Sequence, residues 1–268
     1  MQHGHFYGHP ASLTWTDDWQ VGRNPLEVSV KELDAKRTRA AVLFPQGLMA
    51  NSPTQPIPDS TEGKFGPFSG QLLVGEMNRP RIVRVILDKV AGEIQGACVP
   101  FYDNAGLSKG NHRFVFGDDG SLWVGQTHLS WAGGQGLQRI RWNGKTPLDV
   151  RSMELLPNGF KITFTKSLEK STSIAEQFQF KRYYYEYRKA YGSPQYGIEK
   201  IKIIGSKRMN DNKTVMVYLD KVNPGFVYQL DIKKLIAEDN SALVNPLVCY
   251  TLNRMPNGDD KAPHLVRN

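Results

Sequence analysis

Short runs of β-branched and aromatic residues, each closed by glycine or an Asp-Gly pair, recur along the whole 268-residue chain. This punctuation restricts the fold more than any other feature, because such runs suit pleated strands and glycine supplies the backbone angles of tight returns. Gln71–Gly75, Ile82–Leu87, Phe114–Phe116 and Leu122–Val124 are runs of this kind, and Leu137–Trp142 alternates apolar with polar residues. Asp118-Asp119-Gly120 falls between two of them and predicts a hairpin turn. Only Glu27–Arg39 and Asp231–Glu238 carry a helical pattern, and both are short. The fold class expected is all-β.

Composition narrows the function classes. The chain is 40% hydrophobic and 22% charged, the balance of a globular protein, and has no stretch approaching the ~20 apolar residues of a membrane helix. Met1-Gln2-His3-Gly4-His5 does not show a basic region followed by an apolar one, so a chain made without a leader, a mature product and a fragment are all compatible with it. The net charge of +8 lies mostly in the second half: 15 Lys and Arg face 13 Asp and Glu up to residue 145, whereas 19 face 13 beyond it. The excess is scattered (Lys161, Lys166, Lys170, Lys181, Arg182, Lys200, Lys202, Lys207, Arg208) rather than gathered into the dense stripe of a nucleic-acid binder, and it predicts solvated strand faces. Cys98 and Cys249 form no CxxC or CxxCH pattern, which excludes zinc ribbons and attached c-type haem. They suit two buried thiols or one disulfide.

The composition shifts near Asn143-Gly144-Lys145-Thr146-Pro147. Before it, roughly seven strands in closely spaced hairpins amount to about two four-stranded propeller blades, too few to close a ring. The expectation is therefore a partial β-propeller over residues 1–145, the end of a ring whose first blades lie elsewhere. After it, Phe160–Thr165, Tyr183–Tyr187, Lys200–Ile204, Thr214–Leu219 and Phe226–Leu230 suggest an Ig-like β-sandwich over 146–255, without the Cys…Trp…Cys pattern of antibody domains. Residues 256–268 read as a disordered tail. Residues 46–66 lack periodicity, and Pro53, Pro56 and Pro58 predict a stiff surface loop.

Two clusters of special residues need a chemical reading. His3, His5 and His9 lie at spacings with no fixed ligand geometry, and the acidic residues show no D-x-[DN]-x-[DN]-G spacing, so no metal site is expected. Tyr183-Tyr184-Tyr185-Glu186-Tyr187, with Tyr191 and Tyr196, is the densest aromatic patch. Strand alternation would put Tyr183, Tyr185 and Tyr187 on one face and Tyr184 on the other. One set is expected in the core; an exposed set would serve as a stacking platform for sugar rings or for a neighbouring domain.

Several segments together carry a family resemblance: Gly8-His9-Pro10-Ala11-Ser12-Leu13, Lys64–Gly75, Gln95-Gly96-Ala97-Cys98, Gly144-Lys145-Thr146-Pro147 and Tyr191-Gly192-Ser193-Pro194. Over about residues 6–255 the chain resembles the C-terminal part of large bacterial glucose/sorbosone-dehydrogenase-like proteins. The resemblance implies a secreted, periplasmic or extracellular six-bladed propeller related to soluble quinoprotein sugar dehydrogenases, followed by an Ig-like domain and often a cytochrome c module. It also implies pyrroloquinoline quinone (PQQ) as cofactor, with a base taking a sugar hydroxyl proton while hydride passes to the quinone. The chain departs from this pattern in lacking the early blades, with their catalytic histidine, and the haem-binding CxxCH.

Under that resemblance, polar residues at one rim of the strands would line the site. Glu76, Asn78 and Arg79 follow one strand; Gln126, Thr127, His128 and Trp131 follow another, with Arg113 beside His112 at a strand start. His128 is the candidate base and Arg113 the candidate for polarising a quinone oxygen, because imidazole titrates near neutrality and guanidinium matches oxyanions bidentately. Gln126, Thr127, Trp131 and Arg79 are the candidate cofactor contacts. The function expected is the C-terminal portion of a sugar-oxidising quinoprotein, completed by missing blades or a cytochrome c module from another chain. The alternative is a noncatalytic module binding carbohydrate or protein.

Overall fold

The computed structural model describes residues 3–129, 132–171 and 173–256. Among them, two 3₁₀ turns (Pro10–Trp15 and Pro25–Glu27) and α1 (Val30–Lys36) precede β1 (Pro53–Pro58), β2 (Leu72–Glu76), β3 (Arg81–Val90) and β4 (Glu93–Asp103). Next come β5 (Asn111–Phe116), β6 (Leu122–Leu129), β7 (Ala132–Ile140), β8 (Val150–Leu156) and β9 (Gly159–Phe164). A short α2 (Ile174–Gln177) leads into β10 (Phe178–Tyr184), β11 (Tyr196–Ile201) and β12 (Ile203–Arg208). The series ends with β13 (Thr214–Leu219), β14 (Phe226–Ile232) and β15 (Leu247–Leu252). The protein is all-β, as expected.

Among the described residues the strands form three antiparallel sheets, ordered β1-β2-β3-β4-β15-β14-β10-β11, β12-β13-β9-β8 and β5-β6-β7, with no closed barrel or propeller. In place of two separate four-stranded blades, β1–β4 continue through β15 into the strands of the second half. The junction is a register of Cys98 opposite Cys249, Ala97 opposite Tyr250 and Gly96 opposite Thr251. The sequence shift near Asn143 therefore does not divide the sheets. The proposed tail falls almost wholly on residues 257–268, outside the described residues.

The main core lies between the eight-stranded and four-stranded sheets. Alternate residues of β14 and β15 (Tyr228, Leu230, Val248, Tyr250) meet Val150, Met153, Phe160, Ile162 and Val217. The other face of the same strands is covered too: Val83, Cys98, Tyr183, Val227 and Cys249 pack against residues 42–50. Leu43 donates its backbone N–H to Thr251 Oγ1 (2.8 Å), and Asn253 Nδ2 donates to Ala40 O (2.9 Å), fixing this cover to β15. A third cluster joins β5–β7 to the β2–β3 end of the large sheet through Leu73, Ile82, Phe114, Leu122 and Val124.

Local chemistry explains the turns. At Asp118-Asp119-Gly120 the expected hairpin forms: Gly117 and Ser121 close it through a backbone bond of 2.8 Å, and Asp119 Oδ1 accepts from the Ser121 N–H and hydroxyl. Gly120 has φ +78, and a Cβ there would fall 2.4 Å from Lys64 Cβ, so both conformation and space require glycine. Within β4, a Cβ on Gly96 would meet Ile86 O at 2.1 Å; glycine is what lets β3 and β4 approach there.

Two local expectations are corrected. Pro53–Pro58 is the edge strand of the large sheet rather than a loop, a place that tolerates residues unable to donate to a ladder. Its outer side is tied down by Gln55, whose amide accepts from Phe114 N (3.0 Å) and donates to Phe114 O (3.4 Å). Asp231–Glu238 is not helical: β14 runs to Ile232, and Ile236 then bridges Ala242. Leu230 and Ile232 are held in the core by pairing with β10 and β15, which overrides the weak helical spacing.

Cys98 and Cys249 are buried free thiols on paired strands. Burial, reinforced by the neighbouring Cys249, pushes the Cys98 thiol well above its ordinary value. Since the thiolate is the reactive form, native protein is expected to leave Ellman's reagent uncoloured and to release two equivalents on unfolding. Rapid titration of even one thiol in the folded protein would contradict this packing.

Candidate ligand-binding cleft

The tyrosine-rich segment leaves the sheet at the end of β10, so the alternation expected over Tyr183–Tyr187 holds within the strand for Tyr183 and Tyr184 but does not extend to Tyr187. Tyr183 is fully buried beside Cys249, with its ring edge-on to Tyr185 at 5.7 Å. Tyr184 turns to the other side, stacking on Tyr196 at 5.8 Å and meeting Phe226 edge-on at 5.7 Å. Beyond the strand, Tyr187 reaches the N-terminal segment, donating its hydroxyl to Gly8 O and packing beside Phe6, Leu13, Val28 and Leu33.

Two cavities flank this segment and share Leu43, Tyr185, Glu186 and Tyr187 as walls. The inner one, about 100 Å³, is also lined by Arg37, Arg39, Phe226 and Asn253. The outer one, about 370 Å³, opens past Phe44, Gln46, Arg188 and Ser193. Both belong to one cleft between the N-terminal segment, residues 40–46 and the tyrosine run.

Its electrostatics follow from this placement. Arg37 lies over the Tyr187 ring, 4.8 Å from its centroid, while its Nε and Nη2 donate to Asp34 Oδ1 (3.1 and 2.7 Å). Burial lowers the pKa of the Arg39 guanidinium from its usual value; Asp34 opposes that shift and Arg37 adds to it. Burial also raises the Tyr185 and Tyr187 hydroxyls, so both stay protonated across the neutral range, that of Tyr187 donating to Gly8 O. The cleft thus offers aromatic faces, the Tyr185 hydroxyl and guanidinium groups within one concavity, the combination that fixes the orientation of a polar ligand.

The residues expected to form a rim site are placed differently. Arg113 and Gln126 do fall at the same end of the β5–β6 hairpin, Arg113 opposite Gly125 and Gln126 opposite Asn111. They face opposite ways, however. Phe114 and Val124 point into the core; Arg113, next to Phe114, is exposed, whereas Gln126, two beyond Val124, turns inward and donates to Gln138 Oε1 and Asn111 Oδ1. Arg113 donates to the carbonyl of His112 (3.1 Å). Thr127 donates its N–H to Gly110 O (3.0 Å), and His128 is exposed opposite Gly133. Arg79 is half-buried, its carbonyl accepting from Asn111 Nδ2 (3.4 Å). Trp131 lies outside the described residues.

Glu76 and Asn78 join the same polar knot. The fully buried Glu76 carboxylate accepts the backbone N–H groups of Asn51 (2.6 Å), Ser52 (3.1 Å) and Asn78 (2.7 Å), which accounts for a charged residue at the end of an apolar strand. A planar quinone bearing three carboxylates needs cations and a stacking ring on one wall. The described candidates do not fit it as a set, because Arg113 and Gln126 face opposite sides of their sheet. His5 Nδ1 bonds Thr38 Oγ1, 33 residues later, and His9 Nδ1 accepts locally from Ala11 N.

Sequence reading singled out the tyrosines of the cleft but missed Arg37, Arg39 and the covering segment around Leu43. A signal was present in Lys36-Arg37-Thr38-Arg39, the most compact basic run of the first half. What it lacked was any indication that this run folds against residues some 150 positions later. Comparison of the chain with protein-family models, with curated proteins and with solved structures gives no match in any of the three.

Proposed function

We propose that this chain is a noncatalytic carbohydrate-binding module whose ligand lies in the tyrosine-walled cleft. The observation that carries this reading is the run Tyr184–Tyr187 lining two joined cavities, with Arg37 held over the Tyr187 ring. Tyrosine presents an apolar face to the C–H side of a sugar and a hydroxyl to its polar edge. Arg39, Asn253 and Gln46 supply planar hydrogen-bonding groups around it.

The family resemblance supports a second reading, in which the chain is the C-terminal portion of a PQQ-dependent sugar dehydrogenase, exported and completed by further blades. Under it, the paired core of the β8–β15 region would correspond to an Ig-like sandwich and the β5–β6 Asp-Gly hairpin to part of a blade. The binding reading is preferred because its residues share one concavity, whereas Arg113, Gln126 and His128 line neither cavity of the cleft.

Electrophoresis through gels containing soluble neutral and acidic polysaccharides tests the proposal. At least one polysaccharide should retard the protein. Tyr185→Ala should weaken that interaction roughly thirty-fold, the effect of truncating an aromatic anchor worth about 2 kcal/mol. Tyr191→Ala should bind as the parent does, since Tyr191 is 96% exposed and lies outside the cleft. Unretarded migration in every gel, at a protein concentration where a millimolar interaction would show, would end the carbohydrate reading.

A further inference from the structure

The cleft is asymmetric in charge as well as in size. Its charged walls are Arg37, Arg39 and Arg188 against Glu186, three cations to one anion. Asp34 sits behind Arg37 and engages its Nε and Nη2, leaving the Nη1 side of the guanidinium as the one that Asp34 does not take. Arg37 and Arg39 both border the inner cavity, whereas Arg188 lines the outer one. Asp34 offsets part of this charge, bonding Arg37 and attracting Arg39, and the cavity walls still carry more cations than anions.

Size adds a second constraint. At about 100 Å³ the inner cavity takes a planar group of a few heavy atoms, and at about 370 Å³ the outer one takes pyranose rings. Building on the carbohydrate reading above, we infer that the cleft recognises sugars bearing a carboxylate, uronic acids, with the acid group inward between Arg37 and Arg39 and the rings outward on Tyr185 and Tyr187. A planar guanidinium fork matches a carboxylate bidentately, which a neutral hydroxymethyl group at the same ring position cannot reproduce. In this arrangement the arginines set specificity for the acid, and the tyrosines supply ring contact that acidic and neutral sugars share.

The test uses the full chain and three acidic oligosaccharides, oligogalacturonate, alginate oligomers and hyaluronan oligomers, each beside its own methyl ester. Titration calorimetry in 0.15 M salt should show at least one acid binding ten-fold or more tighter than its ester. Arg39→Gln should bring that acid down to the affinity of the ester while leaving the ester unchanged, and Arg39→Lys should restore part of the difference. Thermal melting of each variant separates lost recognition from lost folding, and Arg188→Gln offers a second, exposed position at which a smaller loss on the acid alone is expected. Equal affinity for acid and ester, or an Arg39→Gln variant that discriminates as well as the parent, overturns the inference and leaves the carbohydrate reading standing. Absence of binding to all six oligosaccharides overturns it as well, and the polysaccharide gels then decide whether the carbohydrate reading falls with it.

Discussion

Replacing Arg84 with alanine is expected to destabilise the protein by about 3–5 kcal/mol, the cost of leaving one half of a buried ion pair uncompensated. Arg84 and Asp149 are 0% and 2% exposed, with Nη2 and Oδ2 3.3 Å apart. Arg84 also donates to Val150 O (2.6 Å) and Gln71 Oε1 (2.7 Å), and its guanidinium lies 3.8 Å from the centroid of Phe68. Asp149 in turn accepts from Val150 N and Asn245 Nδ2, both at 2.7 Å. The residue therefore pins the large sheet, through β3, to the start of β8 in the second sheet. At roughly 2–4 °C per kcal/mol for a chain of this size, the melting temperature should fall on the order of 10 °C.

The pH dependence of that loss has a definite sign. Burial raises the Asp149 carboxyl above its ordinary value, and Arg84 is the strongest influence pulling it back. Without Arg84 the folded-state pKa rises further. A carboxyl raised in the folded state costs stability once ionised, and the cost disappears as pH falls through its folded value. The deficit of Arg84→Ala relative to the parent should consequently narrow below neutrality, and Asp149→Asn added to it should recover stability at pH 7. Chemical denaturation at pH 5 and pH 7 measures both. A deficit below about 1 kcal/mol, or one that widens on acidification, would mean that the pair does not hold the sheets together.

Phe160→Ala should be comparably severe, at about 3–5 kcal/mol. Phe160 is fully buried on β9, and three rings of the opposite sheet surround it: Phe180 stacked at 5.9 Å, Tyr228 at 5.7 Å and Tyr250 at 5.0 Å. Two of those rings are bonded at their far ends. Tyr250 donates to Asp88 Oδ2 (2.6 Å), and Tyr228 accepts from Asn223 N (2.8 Å), so neither moves inward to fill the space without breaking a polar bond. The site collapses poorly, which places the variant at the costly end of the range. Phe160→Leu, keeping part of the volume, should lose clearly less. Urea midpoints at unchanged slope would report this; a Phe160→Ala midpoint close to that of the parent would show that the two sheets do not depend on this contact.

The fold class was legible because β9, β13 and β14 expose one clear signal each, a β-branched or aromatic run closed by a turn. β4 and β15 were not, and the reason is physical. With both faces covered, Leu247-Val248-Cys249-Tyr250-Thr251-Leu252 has no polar side left to alternate with, and β4 contains Gly96, Ala97 and Pro100, residues of low strand preference, of which Gly96 is required by the close approach of β3. The edge strand β1 was hidden by its prolines. At the cleft, the tyrosines announced themselves by density, whereas Arg37 and Arg39 acquire a role only through the packing of Phe6, Leu13 and Leu33 around Tyr187. Arg113 and Gln126 show the opposite error: sequence places them correctly along the strands, but a one-residue difference in parity sends them to opposite faces.

The position of β15 has a consequence for how such a chain is made. β15 is made after every strand it joins, yet it is not an edge but the seam of the largest sheet, between β4 and β14, joining Cys98 to a partner 151 residues later. Until it arrives, both neighbours present an open row of backbone donors and acceptors flanked by apolar side chains, and the growing polypeptide cannot finish its main core in the order of its synthesis. Pairings of such long separation are slow to form. The nascent chain is therefore most at risk just before β15 is added, when a chaperone that shields strand edges would matter most and when termination even a few residues before Leu247 would yield material primed to aggregate.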